Sequence, residues 1–347
     1  MSDIIDVNFI NEIKNLLTSA KERVKAAINI AMVYTYYEIG RRIVEQEQKG
    51  ENRAEYGKEV LKQLSTALTK EFGKGYSVSN LKMIRQFYLV YSADQIGQPL
   101  VSELKSLPTT SDGKRFFLGW TSYIQLMRIR NPDERHFYEI EAYKNNWSKR
   151  ELARQFDSAL YERLALSRDK QKVLELSQKG QIIEKPLDAI KDPYVLEFLN
   201  LREDDRYSEK DLETRIINKL QYFLLELGKG FTFVQRQMRL TFDDQHFFAD
   251  LVFYNRLLRC FVVIDLKIGK LKHQDIGQMQ MYVNYFDRYV KLPDENKTIG
   301  ILLCKEKSDA IIEMTLPKDN DQIFASKYET ILPSKEELKK LIEEFNY

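Results

Sequence analysis

The chain is poor in cysteine and histidine, the residues that build disulfide frameworks and zinc sites. It contains two cysteines and three histidines among 347 residues. Cys260 and Cys304 stand in short apolar runs, while His136, His246 and His273 are far apart and share no metal-ligand spacing. Disulfide scaffolds and zinc sites need clustered ligands, so the sequence excludes both. We expect two buried, reduced thiols, as in a cytoplasmic protein.

Long apolar runs and strong net charge are also missing. No segment approaches the roughly 20 apolar residues of a membrane-spanning helix. The first residues, MSDIIDVNFI, lack the apolar core of a signal peptide, so we expect no membrane partner and no secretion. The 54 basic residues nearly balance the 52 acidic ones, giving a net charge of +2. A surface that binds nucleic acid must therefore be local.

The chain does have a large apolar fraction, 43% of its residues, and enough length for about two domains. Amphipathic patterns predict long helices over 9–48 and 57–72. A polar stretch punctuated by proline follows residue 167 and is typical of a connection. We expect an all-α domain over 1–168, a linker over 169–191, and a second domain over 192–347 that opens with a helix in DPYVLEFLNL.

The turn signal GKGYS separates the second helix from a third one in SVSNLKMIRQFYLVY. Helical spacing predicts an inner face of Leu81, Ile84, Tyr88 and Tyr91. The outer face would carry Asn80, Lys82, Arg85 and Gln86. Two helices around a glycine turn outline a helix-turn-helix, in which these four side chains would contact DNA. A plain helical hairpin with a solvated outer face fits the same pattern and is the commoner structure.

Two adjacent apolar runs carry acids. Residues 245–254 and 259–267 have the β-branched, apolar character of strands, with Asn255-Arg256-Leu257-Leu258 as the turn between them. Side chains alternate along a strand, so Asp265 and Lys267 share one face. A hairpin would bring Asp250 close to Asp265 across the ladder.

Two acids close together in an apolar environment repel each other, and burial makes this worse. A divalent cation removes the problem, and Mg²⁺ commonly uses one or two carboxylates together with waters and phosphate. Lys267 could position an attacking water or neutralise developing charge. A structural salt bridge between Asp265 and Lys267 is the alternative, but the second strand acid and the polar residues around it favour a site.

Other polar residues flank these strands. Ser208 can cap a helix that runs to Gly228 and contains Glu213. Glu213 shares a stripe with apolar residues, although a first-turn glutamate also suits the helix dipole. Gln278 and Tyr282 are neighbours on one face of a later helix. Ordinary packing would explain that pair equally well.

The segment Phe247–Tyr282 resembles the PD-(D/E)XK nuclease superfamily, and within it the YhcG-type members. Glu213 matches the helix acid of that pattern and Asp250 the strand aspartate. Asp265 with Lys267 matches the (D/E)-x-K element, and Gln278 with Tyr282 matches Q-x-x-x-Y. Ala249 stands where proline is common, and Asp265 replaces the commoner glutamate. The flanking GKGFTFVQRQMRL, TIGILLC and YETILPSKEEL are similar to the same family.

The resemblance implies an α+β protein of two domains. The N-terminal domain would be all-α and helix-turn-helix or winged-helix-like. The C-terminal domain would be α/β and restriction-endonuclease-like, with a mixed central sheet. Such a domain would hydrolyse DNA with Mg²⁺ or Mn²⁺ held by Asp250, Asp265 and the Leu266 carbonyl, with Lys267 orienting water and Glu213, Gln278 and Tyr282 completing the site.

Kinship also suggests a role in DNA processing, recombination or defence. Two other classes of function fit the sequence: a non-catalytic nucleic-acid-binding or assembly protein on a nuclease-like scaffold, and a purely structural partner. The long amphipathic helices are compatible with a homo-oligomer.

Overall fold

The structure is a computed structural model that describes residues 7–49, 54–93, 109–166, 170–201 and 206–331. The chain divides into two compact units. The first comprises Met1–Arg154 with Leu174–Gly180, and the second comprises Gln155–Val173 with Gln181–Tyr347. The residue boundaries that composition suggests for the two domains stay a prediction.

Helices make up the N-terminal unit. They are α1 (Val7–Lys49), α2 (Ala54–Phe72), α3 (Val78–Ser92), α4 (Trp120–Leu126), α5 (Pro132–Lys144) and α6 (Lys149–Asp157); α7 (Leu160–Leu166) and α8 (Lys170–Lys179) follow. Every regular element within the described part of residues 1–154 is a helix, which confirms the predicted all-α class. None of the helices in the described ranges is long and apolar enough to cross a membrane.

The first three helices pack around a small apolar core of Ile43, Leu61, Leu81 and Ile84. Ser77 caps α3 by accepting a hydrogen bond from the Asn80 main-chain N–H, as its position before the helix predicts. Helices α1 and α3 approach closely at Gly40, where a Cβ would lie 2.5 Å from the Ile84 carbonyl oxygen. A glycine is therefore required at that crossing.

The predicted inner face of α3 needs one correction. Leu81, Ile84 and Tyr91 are buried as expected, but the fourth buried residue is Phe87, and Tyr88 is only partly buried. Phe87 packs against the rings of Phe116, Trp120 and Tyr123, among others. Those aromatic residues lie far along the chain, so the spacing within α3 could not reveal which ring they would cover.

The C-terminal unit is built on a six-stranded mixed sheet of order β1-β6-β5-β4-β3-β2. Its strands are β1 (Tyr194–Val195), β2 (Phe231–Phe242), β3 (Gln245–Asn255), β4 (Cys260–Lys270), β5 (Ile299–Glu306) and β6 (Ile323–Glu329). Strands β2, β3 and β4 pair antiparallel. Strands β4, β5, β6 and β1 pair parallel. The mixed central sheet is thereby confirmed.

Helices cover the two faces of this sheet. Helices α9 (Glu209–Asn218) and α10 (Leu220–Leu227) pack on one face through Leu212, Ile216 and Phe223. Helix α11 (His273–Tyr285) packs on the other through Ile276 and Met279. A short helix, α12 (Asp309–Thr315), follows β5. Burial on both faces explains why the central strands are continuous apolar runs, in which a carboxylate stands out.

Cys260 and Cys304 lie in β4 and β5 as free, buried thiols. Burial raises the pKa of Cys260 to about 12 and that of Cys304 to about 11. Both thiols therefore stay protonated at neutral pH, and the expectation of two buried, free cysteines is confirmed.

Two predicted helices differ in the structure. DPYVLEFLNL does not form a helix: Tyr194–Val195 is a strand paired with β6, and a single 3₁₀ turn spans Glu197–Leu199. Completing the edge of the sheet outweighs the local helical preference. The helix expected up to Gly228 is interrupted at Lys219, which separates α9 from α10.

A buried ion pair joins α7 to α10 within the second unit. The side chains of Arg163 and Glu226 are both completely buried and lie in direct contact. Glu226 also accepts a hydrogen bond from the Val195 N–H at 2.9 Å, and Arg163 donates to the Pro193 carbonyl at 3.1 Å. Such a pair tolerates burial only while each charge keeps its hydrogen bonds.

We expect Arg163→Met to lower the free energy of unfolding by about 3–5 kcal/mol, because the Glu226 carboxylate would lose the guanidinium that accompanies it into the interior. Urea denaturation of the full-length chain, followed at the transition of the C-terminal unit, measures the change. The exposed pair Lys297–Asp321, at 64% and 65% exposure, supplies the control: Asp321→Asn should cost less than about 1 kcal/mol. Equal costs would contradict the importance of the buried pair.

Candidate active site

The candidate site lies where the β3–β4 hairpin opens. Paired residues run from Asn255↔Cys260 to Leu251↔Ile264, and the same register places Asp250 opposite Asp265. At this point the Leu266 N–H donates to the Asp250 carboxylate at 2.8 Å. The Asp250 carboxylate therefore accepts a hydrogen bond from the main chain of β4, and the pairing of the two strands ends at the acids.

Asp265 and Lys267 form a close ion pair beside Asp250. The Lys267 Nζ lies 2.8 Å from Asp265 Oδ2, and the two side chains are only 15% and 3% exposed. Burial, reinforced by the neighbouring Asp250, raises the pKa of Asp265 to about 7. Burial acts to lower the pKa of Lys267, but Asp265 and its neighbours raise it overall. Lys267 is therefore a cation at neutral pH, in a site that has more acid than base.

Glu213 reaches this cluster from α9 through Gln237. Glu213 is 2% exposed. The Gln237 Nε2 donates to Glu213 Oε2 at 2.6 Å and to Asp250 Oδ1 at 3.0 Å. Gln237 lies in β2 opposite Asp250 and has a left-handed backbone, with φ of 46°. That conformation is rare for a residue with a Cβ, and strained residues of this kind cluster at functional sites.

Arg236 supports Glu213 from the neighbouring position. Its Nε lies 3.0 Å from Glu213 Oε1, and its side chain is 43% exposed. Neither Arg236 nor Gln237 is predicted from the sequence to lie in the site. The signal was the polar run Gln235-Arg236-Gln237 inside a strand, but only the tertiary structure shows that this run faces Glu213 and Asp250.

Gln278 and Tyr282 lie side by side on α11, as their spacing predicts. The Gln278 amide donates to the Tyr282 hydroxyl, and that hydroxyl donates to the Phe248 carbonyl at 2.9 Å. Burial raises the pKa of Tyr282, so the hydroxyl stays a donor. The pair therefore anchors β3 two residues before Asp250 and does not touch either acid through these hydrogen bonds.

The oxygen donors of this site fit a divalent cation. Asp265 Oδ2 is buried, and the Lys267 ammonium lies 2.8 Å from it. No group of three or more His, Cys, Asp and Glu side chains in the described ranges forms a metal cluster. Asp250 and Asp265 are two, which is the number that Mg²⁺ commonly takes from a protein.

The four predicted nucleic-acid residues of α3 divide into two kinds. Lys82 and Gln86 are exposed. The Asn80 amide donates to the Gly75 carbonyl in the turn before the helix. Arg85 forms an ion pair with Glu47 of α1 at 2.5 Å. Two of the four side chains thus already have partners within the helical unit.

Comparison with known proteins identifies the class. Residues 187–343 match the family model described as the YhcG PDDEXK nuclease domain, and residues 12–163 match the DUF1016 N-terminal domain. The chain is 42% identical over 339 residues to "Putative nuclease YhcG" of Escherichia coli (strain K12), covering 93% of this chain and 90% of that protein. The chain belongs to the YhcG family of PD-(D/E)XK nuclease-like proteins.

Two solved structures overlap with part of the chain. A "repair endonuclease from Pyrococcus abyssi" is 18% identical, covering 38% of this chain and 50% of that one, with a TM-score of 0.25. The "EndoMS-dsDNA2 complex" is 15% identical, covering 39% and 51%, with a TM-score of 0.26. The chain thus spans about half the length of these proteins, and overlaps this small define no residue correspondence.

The raised pKa of Asp265 predicts how stability depends on pH without divalent cations. The folded value of about 7 lies above the ordinary value of about 3.9. The folded state therefore binds the proton more tightly, and its stability falls as pH rises between these two values. Relative to Asp265→Asn, the wild-type protein should lose stability between pH 4 and pH 7.

Thermal unfolding in EDTA at several pH values measures this difference. Asp294→Asn is the control, because the Asp294 side chain is 70% exposed and should leave the wild-type profile unchanged. Parallel profiles for the wild type and Asp265→Asn would show that Asp265 keeps an ordinary pKa.

Proposed function

We propose that the protein hydrolyses phosphodiester bonds in DNA with Mg²⁺ or Mn²⁺. The observation that carries this proposal is the pair Asp250 and Asp265, which face each other across a buried hairpin with the Lys267 ammonium beside them. Buried like charges are costly, and a chain retains such a cluster where it binds a cation or a charged substrate.

Each side chain has a proposed role in this chemistry. Asp250, Asp265 and the Leu266 carbonyl would hold the metal ion. When bound, such an ion lowers the pKa of a bound water and polarises the phosphoryl oxygen. Lys267 is already a cation, so it would orient the attacking water or offset charge on the phosphate rather than accept a proton. Glu213 would complete the acidic cluster.

The remaining site residues would act by position. Gln237 bridges Glu213 and Asp250 by donating to both carboxylates. Gln278 and Tyr282 secure β3 through the Phe248 carbonyl. Hydrogen bonds of this kind orient metal-binding carboxylates and tune their affinity.

A non-catalytic role on the same scaffold has one observation in its favour. The Lys267 ammonium and the Gln237 amide already accompany the carboxylates, so the cluster is tolerated without a metal ion. Titration calorimetry with Mn²⁺ separates the two roles, since a non-catalytic scaffold predicts no metal binding that depends on Asp265.

The N-terminal helical unit, which we place over residues 1–168, would contribute DNA contacts through α3. Lys82 and Gln86 are free to approach the backbone of DNA, whereas Asn80 and Arg85 would first leave their partners in the turn and in α1. Cellular roles in DNA processing, recombination or defence are compatible with this activity.

We expect Lys267→Ala to reduce cleavage by about 100-fold or more, because it removes the only lysine that contacts Asp265 in the described site. The assay uses supercoiled, linear and branched DNA with Mg²⁺, Mn²⁺ or EDTA. Lys270→Ala is the matched control, since Lys270 is exposed on the same strand. Asp265→Ala should match Lys267→Ala. Full activity in either site variant would refute the assignment.

Gln237→Leu should weaken Mn²⁺ binding by about 10- to 100-fold, because the carboxylates of Glu213 and Asp250 would lose the amide that orients them. Calorimetry on the folded variant measures the affinity. Gln235→Leu, two residues away on the exposed part of β2, provides the comparison. An unchanged affinity in Gln237→Leu would show that the amide has no part in metal binding.

Lys82→Ala should weaken DNA binding to a similar degree for all sequences and should reduce the dependence of the logarithm of affinity on the logarithm of salt concentration by about one unit. Fluorescence anisotropy at several salt concentrations measures both quantities. Lys62→Ala, an exposed residue of α2, is the control. Equal salt dependence in the wild type and Lys82→Ala would remove α3 from the DNA-binding surface.

A further inference from the structure

The first half of α1 is a helical arm with its apolar side chains in water. Every side chain described between Phe9 and Asn29 is exposed. Five of them follow one another at helical spacing and form what we call the ridge: Ile10, Ile13, Leu17, Val24 and Ile28, with exposures of 40% to 60%. Helices draw most of their stability from packing such a face, so we expect another apolar surface to cover the ridge.

The second half of α1 presents a groove along the same face. Thr35, Ile39 and Ile43 continue the spacing of the ridge, and Val60, Leu64 and Leu68 of α2 form the opposite wall. The cavity between them has a volume of about 610 Å³. One helix thus carries a protruding apolar ridge at one end and an apolar groove at the other.

The arm of one copy cannot fill its own groove. Helix α1 is continuous from Val7 to Lys49, so the ridge and the groove are held apart on a single rod. In a two-fold dimer, the ridge of each copy can contact the groove of the other, because the axis repeats every contact twice.

We propose that the protein forms a two-fold homodimer in which the ridge of each copy lies antiparallel in the groove of the other. With the axis near Ile28, Ile10 would face Gln46, Ile13 would face Ile43 and Leu17 would face Ile39. Ile10, Ile13 and Leu17 have the i, i+3, i+7 spacing by which an amphipathic helix anchors itself in an apolar groove.

A parallel pairing of the two copies would leave the grooves unfilled. It would place ridge against ridge and groove against groove, and both cavities would stay unfilled. It would also bring Glu38 and Arg42, which line the groove, opposite their own copies, and like charges facing each other across an interface are unfavourable. The antiparallel arrangement buries the ridge and fills both grooves at once.

Sedimentation velocity on the full-length protein tests the dimer. We expect the wild type to be a dimer at micromolar concentration, and the double variant Ile13→Glu with Leu17→Glu to dissociate at least 100-fold more readily. Asn15→Glu with Ser19→Glu, on the opposite face of the same turns, is the control and should remain dimeric. Circular dichroism verifies that each variant keeps its fold.

A monomeric wild type, with the ridge covered by another segment of the chain or by another protein, would overturn the proposal. So would a dimer that survives the ridge variant.

Cysteine cross-linking tests the orientation. A mixture of the Ile10→Cys and Gln46→Cys proteins should form a disulfide-linked dimer under mild oxidation, since the native thiols are buried. The Ile10→Cys protein alone should not cross-link, because its two copies of residue 10 would lie at opposite ends of the dimer. Cross-linking within Ile10→Cys alone would overturn the antiparallel arrangement.

Discussion

Two carboxylates that face each other in a buried hairpin repel, and the described site is arranged around that repulsion. Asp250 and Asp265 come from paired strands, so neither can move away without opening the sheet. Burial and proximity raise the pKa of Asp265 to about 7. The ammonium of Lys267, the main-chain N–H of Leu266 and the amide of Gln237 each offset part of the charge.

The groups that hold the acids in place come from separate parts of the unit. Gln237 belongs to β2, Glu213 to α9, and the Tyr282 hydroxyl that secures β3 to α11. A change in β2 or α9 therefore reaches Asp250 through the hydrogen bonds of Gln237, and a change in α11 reaches it through the main chain of β3. This connection explains why a site with two opposed carboxylates needs an entire sheet and the helices on both of its faces to hold it.

The helical unit differs, because its unfavourable feature is a set of exposed apolar side chains along α1 and not a set of buried charges. Its apolar core is closely packed where α1 crosses α3, at the contact of Gly40 with Ile84. The ridge lies outside that core, whereas the groove borders it and shares Ile43 with it. An interface between two copies would bury the ridge and fill the groove without any change in the fold of the unit itself.

The sequence by itself determined the site acids, since Asp250, Asp265 and Lys267 interrupt apolar runs whose period of two assigns them to one face. It also predicted the all-α class and the adjacency of Gln278 and Tyr282, while the resemblance to a known family implied the mixed sheet. Tertiary structure alone decided that DPYVLEFLNL forms a short strand and a 3₁₀ turn instead of a helix, that Phe87 replaces Tyr88 in the core, and that Gln237 joins Glu213 to Asp250. The physical reason is range: periodicity reports how one element faces its surroundings, whereas these three features depend on partners far away along the chain.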